Sequence, residues 1–453
     1  MEIREFLERN KENMIKDLTE LVSYDSVSIY NPEGEHPFGE EPAKVLDSAL
    51  AMFDREGLKS ENVDYYAGYA ELGEGEKLIG ILAHLDIVPC GTGWTSDPLK
   101  LTLRDGKLFG RGSMDDKGPA ICGLYTLKYL KEEGIDLNGK RVRLIVGCNE
   151  ESGSKGLAYY VNKEGHIDYG FTPDGSFPGI YGEKGGVNAL FASKNTKIID
   201  AKGGLVPNAV CSEVYFKLPK DSVDETKLKE YFDANKIRFE FNRGDFDELT
   251  TFGTAAHAST PALGVNAISH SFRAFEAAGF QDDFVTYYNE YININTDGAP
   301  IDCKLEDEYG DLTFNNGMIY MKDGHVEGTI DVRVPVTIDT KIVTDKISEK
   351  MNDNNGSILE VSGGKPLFFD PKSPMIAALV KAYAEVTGDT ENKPMVIGGG
   401  TYSKGINNCI AFGGEYPGED NHIHDVDEYI GYDRFFEQTE IYIKAVMNLL
   451  QLD

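Results

Sequence analysis

The chain has 453 residues, a length typical of two to four domains or of one catalytic body with a large insertion. Its composition, 41% hydrophobic and 27% charged, is that of a folded globular protein. The 76 acidic residues outnumber the 45 basic ones, and the formal net charge is −31. Because that charge repels phosphate, it disfavours nucleic acids and anionic membrane surfaces as partners.

The N-terminal region predicts an amphipathic helix, because its apolar residues fall near one helical face: Ile3, Phe6, Leu7, Met14, Leu18, Leu21 and Val22. It has neither a basic head nor an apolar signal core, and no apolar run reaches the roughly 18 residues of a membrane span. The six cysteines are far apart and form no Cys-x-x-Cys pair: Cys90, Cys122, Cys148, Cys211, Cys303 and Cys409. We expect reduced thiols in a cytoplasmic protein.

The first part of the chain alternates predicted helices and strands, as an α/β sheet domain does. Helices are predicted over residues 41–58 and 115–134, and buried parallel strands over 77–89 and 141–151, followed by a short strand over 167–175. From about Glu183 the pattern changes to half-buried strands at 213–219, 236–244 and 328–336, with helices at 225–235, 266–279 and 344–354. After about Leu367 the α/β pattern returns, with a helix at 374–388 and a closing helix from Asp433.

We therefore predict an α/β fold with an inserted domain. Residues 1–182 and 368–453 would form a sheet domain of the α/β class. Residues 183–367 would form an inserted α+β domain.

Polar residues follow several of the predicted strands. His84 and Asp86 lie where open α/β sheets place ligand sites, and the carboxylate of Asp86 is placed to orient a metal-bound imidazole. On these residues alone, a strand-end histidine paired with a neighbouring acid is the simpler interpretation. Asp115 and Asp116 lie in a glycine-rich turn before a helix, where capping of the helix is the alternative.

Two adjacent carboxylates, Glu150 and Glu151, end an apolar strand, where burial is costly unless they are paired, protonated or bound to metal. One could bind a metal while its neighbour remains a general base, and a solvated turn is an equally good interpretation. Asp174 ends another strand, and His424 lies near the carboxyl terminus. Neither is informative alone.

Together, five residues provide two imidazoles and three carboxylates: His84, Asp115, Glu151, Asp174 and His424. This set supplies one shared carboxylate plus one histidine and one acid for each of two divalent ions. The lack of a cysteine ligand pattern favours a hydrolytic site with open positions over a closed structural one.

Six motifs occur in a diagnostic order: HLDIVPCGTGW, GRGSMDDKG, NEESGSKG, TPDG, AHASTPALGVNA and HIHDVDE. In this order they resemble the two-metal aminoacylase, carboxypeptidase and dipeptidase family (clan MH), and within it the bacterial PepV-type dipeptidases. The resemblance spans nearly the whole chain, and it implies a zinc-peptidase-like fold for the sheet domain and a ferredoxin-like, substrate-binding lid for the insert. It implies that His84, Asp115 and Asp174 hold one metal and that Asp115, Glu151 and His424 hold the other, with Asp115 bridging.

Two of these ligands are chosen over neighbours of the same type. Asp115 is preferred to Asp116 because the family's bridging acid stands three residues after the glycine of GRG. His424 is preferred to His422 because the family's ligand precedes an Asn-Glu pair by three residues. Here that pair is Asp-Glu, at 427–428, which departs from the family pattern.

The resemblance also implies roles for residues that bind no metal. Asp86 would orient His84, and Glu150 would be the general base. In the insert, His257 would polarise the scissile carbonyl, and Arg333 would hold the terminal carboxylate of the substrate through its fork geometry. Asn208 would be a further substrate contact. Without the resemblance, these last three would be a loop histidine, a solvent-facing strand arginine and a turn asparagine.

The glycine-rich turn at 398–401 lacks the Lys-Ser/Thr ending of a phosphate loop, so its amides are better suited to a peptide carboxylate. We predict a cytoplasmic, monomeric metallo-dipeptidase with two divalent ions, zinc first and manganese or cobalt as alternatives. The competing functions are an N-acyl amino-acid deacylase of the same fold and a catalytically silent metal- or peptide-binding protein.

Overall fold

The computed structural model describes residues 1–453, which form two compact units. Unit 1 consists of Met1–Gly182, Phe369–Met395 and Gly400–Asp453, and unit 2 of Glu183–Phe368 and Val396–Gly399. The short segment Val396–Gly399 lies outside the predicted insert. It belongs to unit 2, where the amide of Lys184 donates to the carbonyl of Ile397 at 2.9 Å.

The α-helices are α1 (Ile3–Val22), α2 (Glu40–Arg55), α3 (Lys117–Glu132), α4 (Lys155–Glu164), α5 (Glu225–Asn235), α6 (Ala267–Ala277), α7 (Asp283–Tyr291), α8 (Thr340–Lys350), α9 (Pro374–Thr387) and α10 (Tyr432–Leu449). The strands are β1 (Lys59–Val63), β2 (Ala67–Leu72), β3 (Leu78–His84), β4 (Thr102–Arg104), β5 (Lys107–Phe109), β6 (Arg141–Gly147), β7 (Tyr169–Thr172), β8 (Gly175–Ser176), β9 (Ile180–Glu183), β10 (Gly185–Ser193), β11 (Asp200–Gly203), β12 (Glu213–Leu218), β13 (Arg238–Arg243), β14 (Asp247–Phe252), β15 (Glu306–Asp307), β16 (Gly310–Asp311), β17 (Thr313–Lys322), β18 (His325–Val334), β19 (Gly356–Gly364), β20 (Leu367–Phe368), β21 (Met395–Ile397), β22 (Cys409–Ala411), β23 (Gly414–Glu415) and β24 (Tyr429–Gly431). Short 3-10 helices lie at Pro261–Leu263, Ala299–Ile301 and Tyr402–Gly405.

Unit 1 is built on a sheet with the strand order β1-β2-β6-β3-β7-β22-β9. Strands β6, β3, β7 and β22 are mutually parallel, and β1, β2 and β9 run antiparallel to their neighbours. The parallel strands β6, β3 and β7 are adjacent, so their carboxyl ends lie together at one edge of the sheet.

The central strand β3 is apolar on both faces because each face meets a separate core. Ile79 and Ile81 point into the larger core, which α1, α2, α3, α9 and α10 also line, whereas Leu78 and Leu82 point into a smaller one. This two-sided burial explains the continuous apolar run of the sequence.

The predicted N-terminal helix is confirmed by α1, in which all seven residues of the proposed apolar face are buried. The other helices predicted for unit 1 appear as α2, α3, α9 and α10. None of the helices combines the length and the hydropathy of a membrane-crossing segment.

The main sheet of unit 2 is antiparallel and has the order β13-β14-β12-β11-β17-β18-β10-β19, and β15 and β16 form a separate two-stranded antiparallel sheet. Helices α5 to α8 contribute to its core, which is rich in aromatic side chains. The predicted strands at 213–219, 236–244 and 328–336 appear as β12, β13 and β18. Strands β10, β17 and β19 were not predicted, and they make the sheet wider than the sequence indicated.

Candidate metal centre

The carboxyl ends of β3, β6 and β7 bring most of the predicted ligands to one edge of the sheet in unit 1. His84 is the last residue of β3, Glu151 follows β6 by four residues, and Asp174 follows β7 by two. Asp115 lies in the turn before α3, and His424 in the loop between β23 and β24. The structure brings all five together as two groups that share Asp115: His84, Asp115 and Asp174, and Asp115, Glu151 and His424.

Asp115 lies between the two imidazoles. Its Oδ1 is 2.9 Å from Nε2 of His84, and its Oδ2 is 2.9 Å from Nε2 of His424, which is also 3.1 Å from the carboxylate of Glu151. Within each group, all ligand atoms lie within 4.8 Å of one another. Atoms that share one ion at about 2.0–2.2 Å are separated by comparable distances.

The carboxylates and imidazoles of the cluster shift one another's pKa values. Burial alone would lower the pKa of His84, but the carboxylates of Asp115 and Asp86 raise it well above its usual value. Hydrogen bonds to Asp115 and Glu151 raise the pKa of His424 to about 10. Burial opposes ionisation of Asp115, yet the two imidazoles hold its pKa well below its usual range. Each shift arises from carboxylates and imidazoles held close together, and a cluster of this kind is suited to binding cations.

Asp86 links His84 to the loop that carries the adjacent glutamates. His84 Nδ1 lies 3.1 Å from the Asp86 carbonyl oxygen and 3.5 Å from its Oδ1. The Asp86 carboxylate accepts hydrogen bonds from the amides of Glu150 (3.0 Å) and Glu151 (3.1 Å). The same buried side chain therefore orients one candidate ligand and the backbone next to another.

Glu150 belongs to neither ligand group. Burial raises the pKa of its carboxyl group well above the usual value, and the negative charges of Asp174 and Asp115 add to this shift. A carboxyl group with a raised pKa beside a ligand set has the properties of a general base that later acts as an acid.

Asp116 and His422, the alternatives to Asp115 and His424 as metal ligands, lie outside the ligand groups. Asp116 is fully buried, accepts a hydrogen bond from the amide of His84 at 3.2 Å, and has a pKa raised by that burial. Nδ1 of His422 lies 3.2 Å from the carbonyl oxygen of Val426. Neither residue is in a ligand group.

Two further residues near the cluster were missed by the sequence analysis. The buried ring of Tyr402 meets the ring of His84 edge-on, with centroids 6.0 Å apart, and a Cβ at Gly147 would clash with its hydroxyl group. Half-buried Glu415 accepts a hydrogen bond from Ser176 Oγ at 3.2 Å. Burial raises its pKa, and the negative charges of Asp420 and Asp115 add to that shift. Tyr402 begins a short 3-10 helix and Glu415 ends the two-residue strand β23, and elements this short carry no periodic signal in the sequence.

Unit 2 contains the two predicted substrate-binding residues, Asn208 and Arg333, and the predicted catalytic residue His257. The guanidinium of Arg333 forms a bidentate pair with Asp331 (2.7 and 2.9 Å), and its Nη1 donates to the carbonyl of Gly398 at 3.0 Å. Arg333 is therefore not simply solvent-facing, since only 15% of its side chain is exposed.

His257 is exposed, and its backbone pairs with that of Ala209 in an isolated antiparallel bridge. Asn208 precedes Ala209 in the chain and is also exposed. The Ser259 amide donates to Nδ1 of His257 at 3.2 Å, and the Ser259 hydroxyl lies 2.7 Å from the same nitrogen. Burial and the nearby Arg333 lower the pKa of His257. Because Nδ1 accepts from the Ser259 amide, the neutral imidazole would carry its proton on Nε2.

Comparisons with known proteins agree with the fold. Residues 80–448 match peptidase family M20/M25/M40. The chain is 32% identical over 459 residues to the Bacillus subtilis (strain 168) protein named "Putative dipeptidase YtjP", covering 97% of this chain and 98% of the relative. Its fold is similar to that of human carnosine dipeptidase 1, with a TM-score of 0.61 and 17% identity over 99% of this chain and 98% of the other.

A second solved structure, Bacillus subtilis YXEP, is described as a dinuclear metal binding peptidase from the M20 family. It aligns with a TM-score of 0.51 and 10% identity, covering 98% of this chain and 99% of the other. The predicted mixed α/β fold is thus confirmed, and the family match covers enough of the chain to establish family membership. The chain belongs to peptidase family M20/M25/M40.

Proposed function

We propose that the protein is a metal-dependent dipeptidase that hydrolyses the amide bond of dipeptides. The observation that carries this proposal is the pair of ligand groups that share Asp115. The names of the relatives, a dipeptidase among the curated proteins and a carnosine dipeptidase among the solved structures, support the same activity.

The donor set fits two divalent ions. We assign His84, Asp115 and Asp174 to one ion and Asp115, Glu151 and His424 to the other, because imidazole and carboxylate ligands suit zinc and similar metals. Two ions bound here would supply Lewis-acid polarisation of the substrate carbonyl and a lower pKa for the attacking water.

Glu150 is the proposed general base. Its carboxylate takes a proton from the attacking water and then delivers that proton to the nitrogen of the leaving amine. Glu150 lies outside both ligand groups, so its carboxylate remains available for proton transfer. Asp86 holds the backbone amides of Glu150 and Glu151, so it positions the base without touching the substrate.

His257 is the proposed donor to the oxyanion of the tetrahedral intermediate. Its Nδ1 accepts a hydrogen bond from the Ser259 amide, which leaves the Nε2–H as a neutral donor. Arg333, with the glycine-rich segment that includes Gly398, is the proposed site for the substrate carboxylate, and Asn208 is proposed as a further substrate contact.

The experiment that separates this proposal from its rivals compares a dipeptide with the corresponding N-acetyl amino acid on the metal-loaded enzyme. Glu415 favours the dipeptide, since a carboxylate near Asp115 suits an ammonium group better than a neutral acyl chain. Faster hydrolysis of the acetylated compound would establish a deacylase. A metal-loaded protein that hydrolyses neither compound would be a binding protein.

Four finer properties belong to the same proposal. Zinc is the proposed metal, with manganese and cobalt as alternatives, and the PepV-type dipeptidases are the proposed subgroup. The protein is proposed to be cytoplasmic, because its six cysteines are far apart in the sequence without a Cys-x-x-Cys pair and five of them are buried. It is proposed to act as a monomer, to be checked by light scattering, while elemental analysis of the purified protein identifies the metal.

A further inference from the structure

Glu428 is a buried carboxylate outside both ligand groups, and it is saturated with hydrogen bonds. Its Oε2 accepts from Arg111 Nη1 at 2.7 Å and from the amide of Gly112 at 3.1 Å. Its Oε1 accepts from the amides of Met114 at 2.9 Å and Asp115 at 3.1 Å. The side chain is fully inaccessible to solvent, so these four protein donors replace the hydrogen bonds that water would otherwise make to the carboxylate.

The position of Glu428 connects two segments that carry candidate ligands. It follows His424 by four residues, and its carboxylate holds the turn of residues 111–115, which ends at Asp115. Its carbonyl also accepts a hydrogen bond from the amide of Gly110 at 3.0 Å. The turn is neither helix nor strand, so its amides have no regular partner, and this one carboxylate satisfies three of them.

We propose that Glu428 is a positioning residue for the metal centre, which it serves by fixing the backbone of Asp115. The two oxygens of Asp115 each lie 2.9 Å from a different imidazole, an arrangement that depends on how its main chain is held. A small rotation of the turn would move one oxygen away from its imidazole. The inference rests on the proposed two-metal function, because it assigns Glu428 to the site through Asp115.

The substitution Glu428→Gln tests the inference with almost no change in volume. A carboxamide has one oxygen, which is drawn to the charged Arg111 and the neighbouring Gly112 amide. Its NH₂ group then faces the amides of Met114 and Asp115, so two donors oppose each other on the side of the bridging ligand. The disturbance is therefore directed at Asp115.

Glu71→Gln is the matched control, because Glu71 is also a buried carboxylate in unit 1. Only 5% of its side chain is exposed, and its partners are Arg143 at 2.6 Å, Arg141 at 3.0 Å and Lys59 at 3.4 Å. It contacts none of the candidate ligands. Both substitutions remove a buried charge next to arginine, so both should lower thermal stability. Only Glu428→Gln is expected to alter metal binding.

The measurement is calorimetric titration of chelator-treated full-length protein with Zn²⁺, with circular dichroism to verify folding. Glu428→Gln is expected to weaken Zn²⁺ binding about 10- to 100-fold, the usual effect of losing an outer partner of a ligand. Glu71→Gln is expected to bind as the native protein does. Equal affinities for Glu428→Gln and the native protein, or equal losses in both variants, would overturn the inference.

Two further outcomes keep this result separate from the proposed function. If Glu428→Gln does not fold, Glu428→Asp replaces it, since the shorter side chain keeps the charge but cannot span both pairs of donors. Native protein that binds two Zn²⁺ ions but hydrolyses no dipeptide would refute the dipeptidase proposal and leave the role of Glu428 measurable. Native protein that binds no divalent metal would overturn both.

Discussion

Removal of Arg333 should abolish the preference of the enzyme for substrates that end in a free carboxylate. The guanidinium is already paired with Asp331 through two nitrogens and donates to Gly398 through the third. This bonding fixes the plane of the guanidinium before substrate arrives, so little rotamer entropy is lost on binding. A lysine at this position could not form the same pair.

Arg333→Ala alone would confound two effects, because it also leaves Asp331 without its counter-charge. The side chain of Asp331 is only 5% exposed, and breaking a buried ion pair costs about 3–5 kcal/mol of stability. The informative variant is therefore Arg333→Ala combined with Asp331→Asn, with Asp331→Asn alone as the control that retains the arginine.

The expected loss follows from the charge left unpaired on the substrate. An unpaired carboxylate in a binding site costs about 2–5 kcal/mol, which corresponds to roughly 30- to 4000-fold in kcat/KM at about 1.4 kcal/mol per tenfold. The assay compares alanyl-alanine with alanyl-alaninamide, which lacks the terminal charge. The native enzyme should prefer the acid, and the double variant should lose activity on the acid while activity on the amide is nearly unchanged.

Two results would refute this reasoning. Native enzyme that hydrolyses the acid and the amide at equal rates does not recognise the carboxylate at all. A double variant that loses equal activity on both substrates has lost something other than a charge partner. In the second case, urea denaturation would show whether the loss reflects instability of the fold.

Three other predictions concern the metal centre and the chemistry. Chelation should abolish dipeptide hydrolysis and added divalent metal should restore it, whereas full activity in protein shown by elemental analysis to be metal-free would end the two-metal proposal. Glu150→Ala should retain metal and lose about 10²–10⁴-fold in kcat, and Glu151→Ala should lose metal first, so reversed metal contents would reverse the assignment. His257→Ala should lose roughly 10²–10³-fold in kcat. Co-refolding His257→Ala with Glu150→Ala should recover no activity in a monomer, and recovered activity would show that His257 acts on a partner chain.

Hydrophobic periodicity predicted an element correctly where the same faces of that element are buried along its whole length. Helix α1 shows an apolar face, and β3 is apolar throughout because both of its faces are buried. Strand β17 was missed because buried polar residues interrupt it: Asn315 and Asn316 are almost inaccessible to solvent and use their amides to hydrogen-bond neighbouring backbone. Strand β19 was missed because it is mostly exposed and ends in glycines.

Some residues of the candidate site were found from the sequence, and the role of Glu428 was not. His84 and the adjacent glutamates were found because polar residues that follow apolar strands are conspicuous in a sequence. Glu428 was noted only as part of an acidic pair, since its partner Arg111 is 317 positions away. No local pattern reveals a hydrogen bond between segments so distant in the chain.

Strand β22 has a consequence for the order in which the molecule forms during synthesis. It lies between β7 and β9 in the sheet, yet it is encoded after the whole of unit 2. At about 5–20 residues per second, the ribosome needs roughly 10–50 s to progress from β7 to β22. During that interval the edge of β7 that later pairs with β22 has no partner, and such edges are templates for aggregation. Unit 2, most of which is one continuous stretch, can fold first, whereas unit 1 completes its sheet only after residue 411 has left the ribosome.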